Sequence, residues 1–137
     1  VYNRNTKLLE APNVFVGRFG SAGYNDAPGT DAKFDTPLQG CFVKNEEYVK
    51  EGRKDIYDFY VTDCNNHCIR KITPDGIVST FAGRGSVSSD GIVSGYIDGE
   101  LRKTARFKYP TGICYEEATA TFYISEGNRR IRTISVQ

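Results

Sequence analysis

The sequence predicts an all-β fold assembled from repeated four-stranded antiparallel units. Three observations carry that reading. The stretch Phe59–Thr73, FYVTDCNNHCIRKIT, has the layout of a β-hairpin. Phe59 to Thr62 are aromatic and β-branched residues suited to a pleated surface, Asp63 to His67 supply Asx turn chemistry, and Ile69 and Ile72 anchor the returning strand. The same order returns at Phe122–Ser135, FYISEGNRRIRTIS, so the hairpin belongs to a repeat. Finally, no long stretch holds a helical period. The 14 Gly, nine Tyr and eight Phe, with no Met or Trp, suit many short strands and tight turns.

The totals bound the class. A chain of 137 residues is one ordinary domain by length. With 39% hydrophobic and 26% charged residues it is globular rather than disordered. No apolar run is long enough for a membrane span, and a formal charge of +1 disfavours nucleic acid as a partner. Four cysteines are too few for a disulfide scaffold and fit either redox compartment. The absence of methionine, and of a signal segment at Val1, is what a processed chain or a piece of a longer one would show.

Taken in order, residues 1–17 read as the end of one unit. Asn3-Arg4-Asn5-Thr6 reads as a turn, and Leu8-Leu9 with Val14-Phe15-Val16 as an irregular strand ending at Gly17. Ile72–Gly83 has the same layout, with its turn at Pro74-Asp75-Gly76. Residues 18–83 form the second unit. A glycine-rich link passes Gly23-Tyr24-Asn25-Asp26 and Ala32-Lys33-Phe34 to Pro37, which opens the strand Leu38–Val43. A charged insert, Lys44–Asp55, reads as a hairpin loop. Residues 84–137 form the third unit. Its link passes Gly95-Tyr96-Ile97-Asp98-Gly99 and Ala105-Arg106-Phe107 to Pro110, with one short helical turn predicted in Gly99–Phe107. The strand Thr111–Tyr115 follows, and its hairpin loop is only Glu116–Thr121. The period is about 60 residues.

These motifs resemble the NHL-repeat β-propeller family. The carriers are Phe81-Ala82-Gly83, Gly95-Tyr96-x-Asp98-Gly99, Ala105-Arg106-Phe107, Pro110-x-Gly112-Ile113 and Asn66-His67-x-Ile69-Arg70-Lys71-Ile72, and they cover nearly the whole chain. The departures are Glu126 in place of Asp63, Arg129 in place of His67, and a displaced glycine at Leu38-Gln39-Gly40. The resemblance implies a β-propeller of four-stranded antiparallel blades, with about two blades here from a ring of about six. The third unit would lack its last strand, which the N-terminus of a longer chain could supply. The long link resembles that of exported NHL proteins of gut-type bacteria, which implies a periplasmic or cell-surface location. The implied role is non-enzymatic binding or scaffolding, accessory to nutrient or glycan capture. Its partners would be a protein or glycan at the propeller loops, and the remaining blades of a longer chain or further copies of this one. Two rivals stay open: part of an NHL-type enzyme, lyase or hydrolase, with its site in other blades, and an RNA-binding NHL domain.

The candidate residues are few. His67 is the single histidine and reads as a hairpin residue, since a metal centre draws several ligands together. Neither a cofactor nor a catalytic signature is indicated. Cys64 and Cys68 flank a three-residue turn, so a disulfide, free thiols and a metal are all open. Cys41 and Cys114 match across the units and read as buried free thiols. Asp26, Asp98, Asp63 and Glu126 are expected to cap amides of their own loops. Arg70 with Arg132, and Arg18 with Arg84, are expected to tie neighbouring blades. Arg102, Lys103, Arg106 and Lys108, with Tyr109 beside them, form a basic cluster and the candidate partner-binding rim, with a merely solvated face as the alternative.

Overall fold

The computed structural model describes residues 2–9, 13–83, 94, 99–102, 104–127 and 129–135. Within them the fold is all-β, in two larger antiparallel sheets and one small pair. The small pair joins β1 (Tyr2–Asn3) to β2 (Leu8–Leu9). The segment Val14–Val16 forms no strand, unlike the expectation, and lies instead near the outer face of the first sheet, where Phe15 and Val16 approach Gly76.

The first sheet has the order β3 (Pro37–Lys44), β4 (Tyr57–Asp63), β5 (Cys68–Ile72), β6 (Val78–Ala82). The second runs β7 (Pro110–Glu116), β8 (Thr121–Glu126), β9 (Arg130–Ser135). The hairpins expected at both repeats form, with β4 paired to β5 and β8 to β9. β3 and β7 each shift register just after their opening proline, which donates no N–H to a ladder. The two sheets superpose in register. Phe42, Phe59 and Ile72 lie across the first sheet as Tyr115, Phe122 and Ile134 lie across the second.

The insert after β3 is more than a loop. It carries α1 (Glu46–Lys50), capped by Asn45, whose Oδ1 accepts the Glu47 N–H at 3.0 Å. Buried Asp58 anchors it, accepting from Asn45 Nδ2 and Tyr48 Oη, each at 2.9 Å. The turn expected in the second link is there, since the Thr104 and Ala105 N–H groups both return to the Glu100 carbonyl. The first link has a counterpart that the sequence reading missed, a 3-10 turn at Gly29–Asp31.

The main core lies between the sheets. Phe122, 1% exposed, is its hub, with ring centroids of Tyr115 at 4.7 Å, Tyr60 at 4.9 Å and Phe81 at 5.3 Å. Ile69, Phe107, Ile113, Ile124 and Ile134 fill the space around it. A smaller core on the outer face of the first sheet joins Val61, Ile72 and Val78 to Ala32 and Phe34 of the link.

Each link is held to its own sheet by one arginine. Arg70, fully buried, donates to Asp63 Oδ2 and Asp26 Oδ1 at 2.8 Å each, and to the carbonyls of Lys33 at 2.7 Å and Asn25 at 2.8 Å. Its guanidinium also lies 4.7 Å from the Phe34 ring centroid. Asp63 in turn accepts the Asp35 N–H at 2.8 Å. Arg132 repeats the arrangement, donating to Glu126 Oε1 at 2.9 Å and the Arg106 carbonyl at 2.8 Å, over the Phe107 ring at 4.9 Å. Glu126 accepts the Lys108 N–H at 3.0 Å. This corrects two expectations. Arg70 ties strand to link within its unit, and Arg132 makes the same tie in the next. Asp26 pairs with Arg70 and Thr80 rather than capping loop amides, because a buried guanidinium is the stronger partner. Asp98 and Arg84 lie outside the described residues, and Arg18 is exposed.

Removing one partner of a buried ion pair strands the other, at about 3–5 kcal/mol. Arg70→Ala is therefore expected to lower unfolding free energy by about that amount. Arg132→Ala is expected to cost less, because its side chain is 12% exposed. Denaturant melts of the two variants check the order. Gly40 gives a second expectation. A Cβ there would sit 2.2 Å from the tip of the Phe59 ring, so Gly40→Ala should cost about 1–3 kcal/mol in the same melts through forced repacking.

Candidate binding rim

One end of both sheets gathers the loops with the most chemistry. It holds the starts of β3, β5, β7 and β9 and the ends of β4 and β8, because each antiparallel partner returns there. Thr36, Leu38, Asn65, Lys108, Tyr109 and Arg129 are exposed on it. The opposite end carries α1 and the Glu116–Thr121 turn.

Tyr109 is the fixed point of the rim. Its φ is +49°, in the left-handed region that a bulky residue rarely adopts. The surroundings over-determine it. Its N–H donates to His67 Nδ1 at 3.0 Å, and its carbonyl accepts the Gly127 N–H at 3.1 Å. Its ring stands edge-on to His67, centroids 4.5 Å apart, and Tyr109 as a whole stays 46% exposed. The result is a preorganised aromatic plate at the seam between sheets. In the first sheet the equivalent position is Thr36, with φ +62°.

His67 therefore serves the rim from beneath, as a hairpin residue. It is buried, closes the Cys64–Asn66 3-10 turn at φ +52°, and joins the second sheet to the first. Since Nδ1 accepts the Tyr109 N–H, the neutral ring carries its proton on Nε2. Burial, and then the nearby Lys108 charge, lower its pKa. Further polar links cross the seam. Gln39 Oε1 accepts the Ile113 N–H at 3.0 Å, and Thr62 Oγ1 donates to the Thr111 carbonyl at 3.2 Å.

The basic cluster read from the sequence does not form one face. Arg106 is buried and donates to the Thr104 carbonyl at 2.8 Å. Arg102 is exposed yet donates to the Gly83 carbonyl. Lys103 lies outside the described residues. Lys108 and Tyr109 do reach the rim. The physical reason is that the link folds back on the sheet, so Arg106 turns inward to satisfy a carbonyl. Sequence reasoning missed Thr36, Leu38 and Asn65, because loops that meet only in space leave no linear signal.

The cysteines are all free thiols. Cys64 and Cys68 are buried, and no bond closes across their turn. Desolvation pushes the Cys68 thiol strongly up, which disfavours its thiolate. Cys41 is half-buried, with its pKa raised to about 11 by desolvation, while Cys114 is exposed. Both are free thiols as expected, but neither is buried: Cys41 is only partly covered, and Cys114 lies on the face of the second sheet turned away from the core. Among the described residues no group of three or more His, Cys, Asp or Glu is placed to hold a metal ion. No helix of the described residues is long and apolar enough to cross a membrane.

No protein-family model matches the chain, and no curated protein matches it. Solved structures do. The chain is 48% identical to an auxiliary nutrient binding protein from Bacteroides thetaiotaomicron, with a TM-score of 0.85 over 96% of this chain and 30% of that one. It is 44% identical to an auxiliary nutrient binding protein from Bacteroides ovatus, with a TM-score of 0.86 over 98% and 31%. It is 43% identical to a candidate phosphatase from B. thetaiotaomicron, with a TM-score of 0.87 over 99% and 29%. The chain thus spans about three-tenths of the length of the solved structures it matches.

The His67 pKa, lowered from 6.5, sets a pH dependence. The folded ring binds its proton less readily than the unfolded one. Its contribution is thus complete above pH 6.5 and is lost as the pH falls through the lowered folded value. Acidification from neutral pH to about 5.5 should lower the melting temperature, and His67→Asn should flatten that slope. Asn tolerates the positive φ, so backbone strain does not confuse the comparison.

Proposed function

We propose that this chain is a segment of an NHL-type β-propeller that binds a nutrient without transforming it, on an exported bacterial protein. In this reading the two sheets are successive blades, and the Tyr109 rim is the binding edge. The observation that carries it is the 44–48% identity, over nearly the whole chain, to two Bacteroides proteins called auxiliary nutrient binding proteins. Their names also support an exported setting.

The rim supports a glycan as the ligand. A rigid, half-exposed tyrosine offers an apolar plate to the C–H face of a sugar ring and a hydroxyl at its edge. Lys108 on the same rim is a donor for sugar hydroxyls, and Asn65, whose amide nitrogen donates to Asp35 and Thr36, keeps its Oδ1 as an acceptor. Neutral glycans need no cationic field, which suits a chain of formal charge +1. RNA binding called for a continuous basic face, and buried Arg106 interrupts it.

A second reading is an enzyme, favoured by the similarity to the candidate phosphatase. One set of assays separates the two. Isothermal titration with a panel of soluble bacterial, plant and host polysaccharides is expected to yield binding to at least one. Tyr109→Ala should weaken that binding at least tenfold, the scale of one lost aromatic anchor. An absence of binding across the panel, or a neutral Tyr109→Ala, would sink the glycan reading. Turnover of p-nitrophenyl phosphate by the same sample would favour the enzyme.

A further inference from the structure

Tyr109 carries the exposed ring of the rim, but a residue of the other sheet sets its backbone. At φ +49° a bulky residue keeps a left-handed backbone only where its surroundings hold it. Two bonds at the internal seam do so, and they differ in kind. The Gly127 N–H donates to the Tyr109 carbonyl at 3.1 Å, amide to amide, and is indifferent to pH. The Tyr109 N–H donates to His67 Nδ1 at 3.0 Å, and that acceptor is one a proton can remove. An imidazolium carries N–H groups at both nitrogens. No rotation of the ring then offers Tyr109 an acceptor, and the new Nδ1 proton points at the amide proton. His67 is only 8% exposed, so water is poorly placed to replace the lost bond.

The groups packed around His67 do not favour the cation. From the second link Lys108 faces it, and among the described residues this like charge is the one His67 feels. On the β6 side the Gly83 backbone lies against the His67 carbonyl, and Arg102 donates to the Gly83 carbonyl. The carboxylates of the neighbourhood are engaged elsewhere. Asp63, at the start of the same turn, is held by Arg70 and Asn66. Asp35 of the first link accepts from Asn65. Glu126 of the facing turn is held by Arg132 and the Lys108 N–H. Cys64 and Cys68, on either side in sequence, are thiols with raised pKa.

We propose that His67 is a positioning residue that releases the Tyr109 plate when Nδ1 takes up a proton, so that the rim holds its ligand at neutral pH and lets it go in acid. The latch rests on the seam geometry, and its effect on a ligand rests on the glycan reading of the rim. Burial and Lys108 lower the folded ring's pKa from 6.5, so the latch is shut at neutral pH and opens only below that value. One proton is exchanged, so affinity for a ligand that needs the plate should fall about tenfold for each pH unit below the His67 midpoint.

Nitrogen-15 NMR of the labelled chain, from about pH 7.5 to about pH 5, tests the latch. The chain has a single histidine, so the imidazole signal is unambiguous. His67 Nδ1 should titrate with a midpoint below 6.5. The Tyr109 amide should shift and lose protection from hydrogen exchange at the same midpoint, while the amides of β4 and β8 stay protected. His67→Asn should abolish the Tyr109 transition. Lys108→Gln, at an exposed site, should move the midpoint upward by removing the like charge, and it carries the test if His67→Asn does not fold. The proposal is overturned if the Tyr109 amide keeps its protection through the His67 titration, or if β4 and β8 lose theirs at the same midpoint, which is unfolding and not release. It is also overturned if the transition persists in folded His67→Asn, which would assign it to Asp63, whose carboxyl burial pushes up. The polysaccharide panel is then titrated into the same samples at both ends of the pH range. A polysaccharide bound equally on both sides of the midpoint overturns ligand release. No binding at either pH beside an intact Tyr109 transition sinks the glycan reading and leaves the latch standing.

Discussion

Everything else in this molecule depends on a guanidinium taken out of water. Arg70 is fully buried, and a charge there must find its partners inside the protein. It finds two carboxylates and two carbonyls, and three of these four belong to the link that precedes its sheet. That link has almost no regular structure to organise it. The arginine therefore folds it, drawing Asn25, Asp26 and Lys33 down onto the strands. Burial pulls the Arg70 pKa down, but Asp63 and Asp26 outweigh it, so the group stays charged. Such clusters add less to stability than to uniqueness, because only one path of the link satisfies every donor.

The same device determines how the sheets meet. In the second unit Arg132 and Glu126 hold the loop that presents Phe107, Lys108 and Tyr109. Phe107 then fills the space between sheets, while Tyr109 reaches across to His67. The seam is thus both a core and a hydrogen-bonded hinge of fixed register. The aromatic plate on the rim and the interior packing are two consequences of one loop conformation.

Much of this was legible in the residues. The hairpins at Phe59 and Phe122, the prolines that open β3 and β7, and the matching of Arg70 with Arg132 all follow from local propensity and repetition. The candidate rim was legible only in part. Lys108 and Tyr109 stand where a basic, aromatic cluster suggested, but Arg106 turned inward to a carbonyl. Asp58 drew no notice in the sequence, yet it anchors α1 through Asn45 and Tyr48. A lone acid in a strand carries no periodic signal, and its partners lie 10 and 13 residues away.

By itself the sequence determined the strand pattern, the repeat and the all-β class, because alternation, turn chemistry and recurrence are properties of neighbouring residues. Only the tertiary structure decided which charged groups are buried, which aromatic ring is left out, and which faces remain uncovered. Those outcomes depend on where a link of irregular backbone comes to rest. Its path is chosen by desolvated charges seeking partners across the fold, and that choice is made in three dimensions.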